Sequence, residues 1–265
     1  LQRPGAQNGH SDVSLWAPLS AGQFHYNKVD SLERFVTVSI NGMNIDFLYN
    51  LCPYVRYQFI AVPDPEKLDP HFINPDDSRS EALLTNLLQL VQTVRDEVTL
   101  RFGFTSRGAH STVNHRHFPG MMIPVEGDGI PIDREIADKG HLNDWALRHS
   151  IWTPADNYTI DQMVHRTMAM IRRIHEITIE AEADAEDYRE RLQDKLAYSL
   201  YLSPEGIAFF PRRAQVYSPY IRYLANSRIS TGMGFYEMLG RIITADPDRF
   251  NFMKVNLSES EREER

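Results

Sequence analysis

The chain has 265 residues, of which 42% are hydrophobic and 24% are charged, a composition typical of globular proteins that bury a core. A single cysteine excludes an internal disulfide framework and zinc sites built on several thiolates. The net charge of −8 argues against a general nucleic-acid binder, which needs a cationic surface. No run approaches the roughly 20 apolar residues of a membrane span, and no secretory leader is recognisable. We therefore expect a soluble, cytoplasmic protein that binds neither nucleic acid nor membrane.

The chain divides into three parts by composition. Residues 1–21 are polar and punctuated by glycine and proline, which predicts a flexible N-terminal arm. Residues 22–255 carry the periodic patterns of a single domain, and residues 256–265 form a charged C-terminal tail.

The first periodic segments are typical of β-strands. Residues 34–40 alternate in polarity, residues 43–49 are rich in strand formers, and the Asn-Gly pair at 41–42 between them predicts a hairpin. A third strand is expected over residues 57–62, ending at Pro63 because proline cannot continue a ladder.

The next segments predict a helix followed by further strands. Ser78 and Glu81 have the spacing of a capping box, and apolar residues recur at helical spacing over residues 83–98, so we expect an amphipathic helix of about five turns. Strands are expected over residues 99–105 and 113–125.

The second half of the chain repeats this mixture of elements. Residues 126–133 are expected to be a loop, and a second helix starts near Thr159 with a glutamine three residues on. The acidic run at residues 180–187 predicts solvated surface. Residues 196–202 and 207–210 flank a turn and predict another hairpin. Antiparallel hairpins interrupted by two long helices indicate an α+β fold.

Residues 104–120 hold the most informative group of polar side chains. His115 and His117 are two apart, so on a strand they share a face. The preceding Gly108 loop offers hydroxyl and amide groups, among them Ser111 and Asn114, which can donate to phosphate oxygens. Neutral imidazole is a good nucleophile toward phosphorus, so the pattern indicates phosphoryl or nucleotidyl transfer through a histidine.

Other interpretations of the same histidines stay open on spacing alone. Both could be ordinary strand residues with hydrogen-bonded rings. A metal site of His110, His115 and His117 would need His110 on the same strand face, where its parity does not place it. A serine hydrolase is excluded at this level, because the sequence contains no Gly-x-Ser-x-Gly elbow.

Four segments in order resemble the histidine-triad/galactose-1-phosphate uridylyltransferase superfamily, most closely its GDP-L-galactose (GDP-hexose) phosphorylase and diadenosine tetraphosphate phosphorylase branch. The first is the His-Arg-His segment with the loop before it. The others are the Asn-x-x-Pro segment from Asn50 with the strand ending at Pro63, the hairpin of residues 198–212, and a Glu-x-x-Gly segment within residues 234–243.

The resemblance implies a histidine-triad (HIT)-like antiparallel half-barrel sheet with flanking helices. It also implies that His117 attacks the α-phosphate of a nucleotide and forms a nucleotidyl-histidine, with His115 as its orienting neighbour. Thr112 would place a hydroxyl near the phosphate, Gly108 would form the close-approach loop, and Asn50 would lie at the nucleoside end of the pocket. Phosphate or a sugar phosphate would then accept the nucleotidyl group.

Arg107 and Arg212 are candidate phosphate partners by charge. The expected partners are a small nucleotide or nucleotide-sugar and phosphate, with no cofactor and no metal. Members of the superfamily often form dimers, so a homodimer is one expected assembly.

Three positions depart from the superfamily pattern. Pro119 stands where the motif has a glutamine, and proline supplies neither a side-chain donor nor a backbone N–H. Thr105 stands where relatives often have asparagine, and Cys52 has no partner for the zinc site of the galactose-1-phosphate branch. The alternatives are a hydrolase or lyase that uses His117 as general acid or base on a phosphorylated or nucleotide-like metabolite, and a nucleotide-binding pseudoenzyme.

Overall fold

The structure is a computed structural model, and it describes residues 18–19, 22–51, 53, 55, 57–107, 109, 111, 113–123, 130–139, 149–184, 196–213 and 239. Most of the expected arm, the expected C-terminal tail and the Glu-x-x-Gly segment other than Leu239 lie outside these residues.

One antiparallel sheet of eight strands organises the described chain. Its strands follow one another in space in the order β1-β2-β3-β5-β4-β7-β8-β6, and every neighbouring pair is antiparallel. The strands are β1 (Arg34–Ile40), β2 (Met43–Tyr49), β3 (Gln58–Pro63), β4 (Thr99–Thr105), β5 (Phe118–Ile123), β6 (Ser150–Trp152), β7 (Leu196–Ser203) and β8 (Gly206–Arg213).

Helices cover both faces of the sheet. Helices α1 (Ser78–Thr93) and α3 (Ile160–Asp184) pack on each other and on one face. Alternate residues of β7 and β8 enter two separate apolar clusters, and α2 (Pro131–Lys139) belongs to the cluster on the opposite face. The predicted α+β class, with one antiparallel sheet and flanking helices, is confirmed. None of the described helices is long and apolar enough to cross a membrane.

Several local sequence signals are confirmed. The Asn-Gly pair joins β1 to β2, with Asn41 at φ 48° and Gly42 at φ 79°, the left-handed backbone that this hairpin turn needs. Strand β4 has the predicted bounds, and the hairpin of β7 and β8 forms. The second capping box also forms. The Thr159 backbone N–H donates to the Gln162 side-chain oxygen at 3.0 Å, and the Gln162 backbone N–H donates to the Thr159 hydroxyl at 3.2 Å.

The first capping box is not formed as predicted. Asp77, not Ser78, is the N-cap of α1, and its carboxylate accepts from the Arg79 backbone N–H at 3.0 Å. An aspartate at this place also interacts favourably with the helix dipole. The helix ends at Thr93 and is shorter than expected, because residues 94–97 form turns.

The strand predicted over residues 113–125 begins only at Phe118. The two backbone N–H groups before it bond elsewhere: Arg116 donates to the carbonyl of Asp69 at 2.9 Å, and His117 donates to Nδ1 of His71 at 3.4 Å. His115 and His117 therefore lie in an irregular segment, so strand alternation does not place their side chains on one face, contrary to the prediction.

Two elements are absent from the sequence-based prediction. Helix α2 occupies part of the expected loop, where Ile132 and Ile136 are buried one helical turn apart. Strand β6 has only three residues and exists because it pairs with β8. The acidic run lies partly in the last turn of α3, and its side chains are outside the described part of the structure.

A buried ionic cluster attaches α2 to the sheet. Asp133 of α2 pairs with Nε of Arg101 on β4, and it accepts the Tyr201 hydroxyl at 2.5 Å. Burial raises the pKa of Asp133 to about 6, although Arg101 and Tyr201 act in the opposite direction. The carboxylate therefore depends on Arg101 to remain ionised at neutral pH.

Two turn glycines give a matched stability test. Gly206 has φ 134°, and an added Cβ would lie 2.2 Å from the Trp152 carbonyl oxygen of β6, whereas a Cβ at Gly42 would meet open space. We expect Gly42→Ala to lower the free energy of unfolding by about 1 kcal/mol, and Gly206→Ala to lower it by roughly 3 kcal/mol because the clash adds to the backbone strain. Urea unfolding of both variants measures the difference, and equal losses would contradict it.

Candidate active site

The candidate site forms where two segments meet near the end of β4. One is the loop before α1, which contains Asp69 and His71, and the other is the irregular segment before β5. Besides the bonds described above, the Asn114 side-chain oxygen accepts from the His71 backbone N–H at 3.1 Å. These bonds hold the histidines of both segments in one place.

The His117 ring has one engaged nitrogen and one available nitrogen. Its Nδ1 lies 2.7 Å from the carbonyl oxygen of His115. A carbonyl can only accept, so Nδ1 carries the proton and Nε2 carries the lone pair. No residue that the structure describes forms a hydrogen bond with Nε2. This is the form in which an imidazole can act as a nucleophile or a base.

The electrostatics favour that neutral form. Burial lowers the pKa of His117 to about 4, partly offset by the His115 carbonyl. The pKa of His115 is also lowered to about 4, by burial first and then by the electrostatic repulsion that a protonated His115 would meet from His117 and His25. Both rings are therefore neutral at physiological pH.

His71 is a site residue that the sequence did not reveal. Its ring stacks on His117 with the ring centroids 4.3 Å apart and the planes at 29°, and on Phe104 of β4 at 4.6 Å and 25°. Nε2 of His71 lies 2.8 Å from the Thr105 carbonyl oxygen. Because 46 residues separate His71 from His117, no local pattern in the sequence links them.

Tyr26 contacts both His115 and His117. Its backbone N–H donates to Nδ1 of His115 at 3.0 Å, which leaves the proton of that ring on Nε2. The Tyr26 ring lies 5.8 Å from His115 and 5.1 Å from His117, between centroids. The Asn114 amide also donates to the carbonyl of Pro18 at 3.0 Å, so the segment before β1 covers this part of the site.

The other predicted binding residues are placed as follows. Asn114 is buried within the site, and Arg107 is buried in the turn after β4, close enough to disfavour a proton on His71. Ser111 is half-buried, and its hydroxyl donates to the Val113 carbonyl at 3.4 Å. Asn50 follows β2, and in the sheet β3 lies between β2 and β5. Gly108, Thr112 and His110 lie outside the described residues.

Pro119 lies in β5, directly opposite Ile60 of β3. It supplies no hydrogen-bond donor two residues after His117. Arg212 lies in β8, and its guanidinium donates to the Ser199 hydroxyl at 3.3 Å.

Among the residues with described side chains, no group of three histidine, cysteine or acidic residues is arranged to hold a metal ion.

Known structures share this fold. No protein-family model matches the chain, and no curated protein matches it in sequence. The yeast Ap4A phosphorylase Apa2 is similar in structure, with a TM-score of 0.53 and 14% identity over 79% of this chain and 67% of that one. Its complexes with AMP and with Ap4A give TM-scores of 0.52 and 0.50, at 14% and 13% identity. They cover 82% and 80% of this chain, and 70% and 69% of theirs. The expected HIT-like fold is confirmed; at this identity the likeness shows the fold alone.

Proposed function

We propose that this protein is a nucleotidyltransferase of the phosphorylase type, which cleaves a nucleoside diphosphate sugar or a dinucleoside polyphosphate through His117. The observation that carries the proposal is the available Nε2 lone pair of a neutral imidazole whose other nitrogen the His115 carbonyl engages. The HIT-like fold supports it, because the similar yeast enzyme is an Ap4A phosphorylase that was solved with AMP and with Ap4A.

In the first step, the lone pair on Nε2 of His117 forms a bond to the α-phosphorus. The bond from that phosphorus to the bridging oxygen breaks, and the oxygen leaves with the electron pair as part of a sugar phosphate or, from a dinucleoside polyphosphate, as part of a nucleoside polyphosphate. The imidazole then carries a positive charge, with its Nδ1 proton held by the His115 carbonyl. In the second step, an oxygen of inorganic phosphate bonds to the α-phosphorus, and the electron pair of the P–N bond returns to Nε2.

The surrounding residues take proposed roles in this reaction. Arg107, Ser111 and Asn114 would contact the phosphates, with the loop that contains Gly108 and Thr112. Asn50 would contact the nucleoside. All bonds that form or break belong to the His117 imidazole, the α-phosphate of the nucleotide and the accepting phosphate, so the proposal needs no cofactor. A cytoplasmic homodimer is part of the same proposal.

Pro119 favours a second candidate. An amide donor directed at the transferring phosphate stabilises charge in the transition state, and loss of one such donor costs about 10²- to 10³-fold in rate. A chain that has proline at this position could instead use His117 as a general acid or base, in a hydrolase or lyase without a covalent intermediate.

The requirement for phosphate separates the two candidates. We expect ADP- or GDP-linked sugars, or Ap4A, to yield a nucleoside diphosphate only when inorganic phosphate is present, with labelled phosphate incorporated into that product. Chromatography of the nucleotides measures this. Formation of nucleoside monophosphate at a rate that is independent of phosphate would contradict phosphorolysis and favour the hydrolase.

Pro119→Gln tests the missing donor. We expect this change to raise the phosphorolysis rate by about 10- to 100-fold, because the amide can donate to the transferring phosphate. Pro204→Gln, in the turn between β7 and β8, is the matched control and should leave the rate unchanged. If Pro119→Gln creates phosphorolysis that the unmodified protein lacks, the native reaction is a different one.

A further inference from the structure

His71 packs tightly between two other rings, and both of its nitrogens are engaged. One face contacts Phe104 of β4, and the other contacts His117. The residue is 1% exposed. Although it is fully enclosed, it lies against the ring to which we assign the chemistry.

The hydrogen bonds of His71 fix its protonation state by geometry. The Thr105 carbonyl oxygen can only accept, so Nε2 of His71 carries the proton. Nδ1 then holds the lone pair and accepts the backbone N–H of His117. A second proton on Nδ1 would point at that N–H group, so the bonds permit only the neutral ring.

The charged groups around His71 also disfavour a second proton. The pKa of His71 lies well below its ordinary value, chiefly because of burial and then because of His117. Arg116 and Arg107 add positive charge nearby, and the Thr105 carbonyl offsets only part of this effect. The ring beside His117 therefore stays neutral while His117 itself becomes positively charged.

We propose that His71 is a positioning residue for His117: its neutral ring fixes the plane of the His117 imidazole and packs against the positive charge that forms when Nε2 bonds to phosphorus. The inference rests on the proposed nucleotidyl transfer. A neutral aromatic face attracts a cation, whereas a second imidazolium at this distance would repel it. The hydrogen bond from the His117 backbone N–H to Nδ1 of His71 also fixes the main chain that carries the His117 ring.

Three variants separate stacking from hydrogen bonding. His71→Phe keeps a planar ring between Phe104 and His117 but removes both nitrogens. His71→Asn keeps a polar atom near the Nδ1 position and removes the ring. His165→Asn is the matched control, because His165 is an exposed histidine of α3.

We expect His71→Asn to lower kcat by about 10- to 100-fold, because a small displacement of a reacting group has an effect of this size. KM should stay within about twofold, because the buried His71 acts through His117 and not on the substrate itself. His71→Phe should lose less than His71→Asn, and His165→Asn should behave as the unmodified protein. Thermal unfolding of each variant separates these effects from loss of the fold.

A second measurement does not depend on catalysis. ¹⁵N NMR of the imidazole nitrogens should show one His117 tautomer, with the proton on Nδ1. In His71→Asn we expect a mixture of tautomers, and an upward shift in the pKa of His117 by about one pH unit or more as water reaches the ring. An unchanged tautomer and pKa in folded His71→Asn would overturn the inference.

The kinetic and NMR measurements together also separate this inference from the proposed function. If the unmodified protein forms no nucleotidyl adduct and His71→Asn still changes the tautomer and pKa of His117, the function is wrong while the positioning role stands. If the adduct forms at the same rate in all variants, with the same NMR signals, only the positioning role is wrong.

Discussion

Replacement of His117 by asparagine is expected to abolish turnover, with a loss of about 10⁴-fold or more, because the nucleophile of a covalent mechanism has no substitute. Nucleotide affinity should stay within a few fold, since the lost group bonds to phosphorus only during the reaction. Steady-state rates and calorimetric titration with a non-reactive nucleotide analogue measure the two quantities. His165→Asn, on the exposed side of α3, serves as the matched control.

The pH dependence of kcat tests the same assignment. Burial holds the pKa of His117 at about 4, and the neutral form is the nucleophile. Activity should therefore persist below the pH at which an exposed histidine becomes protonated, and should decline only as the pH falls toward 4. A decline centred near the ordinary histidine pKa of about 6.5 would show that the reacting imidazole is exposed to solvent.

Nucleotide binding with unchanged affinity in His117→Asn, and no turnover in either the unmodified protein or this variant, would instead indicate a pseudoenzyme.

Arg101→Met is expected to lower the free energy of unfolding by about 3–5 kcal/mol at about pH 7, because it leaves the buried carboxylate of Asp133 without its cation. Arg101 lowers the pKa of Asp133, so its removal raises that pKa above the present value of about 6. An acid whose folded-state pKa is raised contributes stability at low pH and loses that contribution as the pH rises through the folded-state value. The loss in Arg101→Met should therefore be much smaller at about pH 4 to 5 than at neutral pH.

Two further variants control this experiment. In Arg101→Met combined with Asp133→Asn, no buried charge remains, and the amide oxygen can still accept the Tyr201 hydroxyl, so most of the lost stability should return. Arg95→Met removes an exposed arginine that pairs with the exposed Asp96 and donates to the Gln92 side chain at 3.5 Å, and it should change stability by less than about 0.5 kcal/mol. Urea unfolding at both pH values gives all of these quantities. A loss in Arg101→Met that does not change with pH would show that Asp133 does not titrate as described.

The parts of the fold that the sequence predicted are those determined by neighbouring residues. The hairpin at Asn41 and Gly42 depends on the backbone preferences of two residues, and the start of α3 depends on a reciprocal pair three residues apart. Helix α2 had a comparable signal, because Pro131 stands at its first position and Ile132 and Ile136 are four apart. That signal is short, and it lies within a segment whose glycines and aspartates indicated a loop.

The parts that the sequence did not predict depend on contacts between distant residues. Strand β6 exists through its pairing with β8, and no three-residue segment specifies such a pairing by itself. The irregular backbone at His115 and His117 follows from bonds to Asp69 and His71 in another loop. The His-x-His motif identified the candidate nucleophile, but the arrangement of His71 and Tyr26 around it could be recognised only from the fold.

The most direct test of the proposed function is mass spectrometry of the intact protein after incubation with ADP- and GDP-linked sugars and Ap4A in the absence of phosphate. We predict a mass increase of one nucleotidyl group, located on the peptide that contains His117, absent from His117→Asn and lost when phosphate is added. Product formation with no adduct at any time, including rapid quenching in the first turnover, would contradict a nucleotidyl-histidine intermediate. An adduct on any other residue would contradict the assignment of His117.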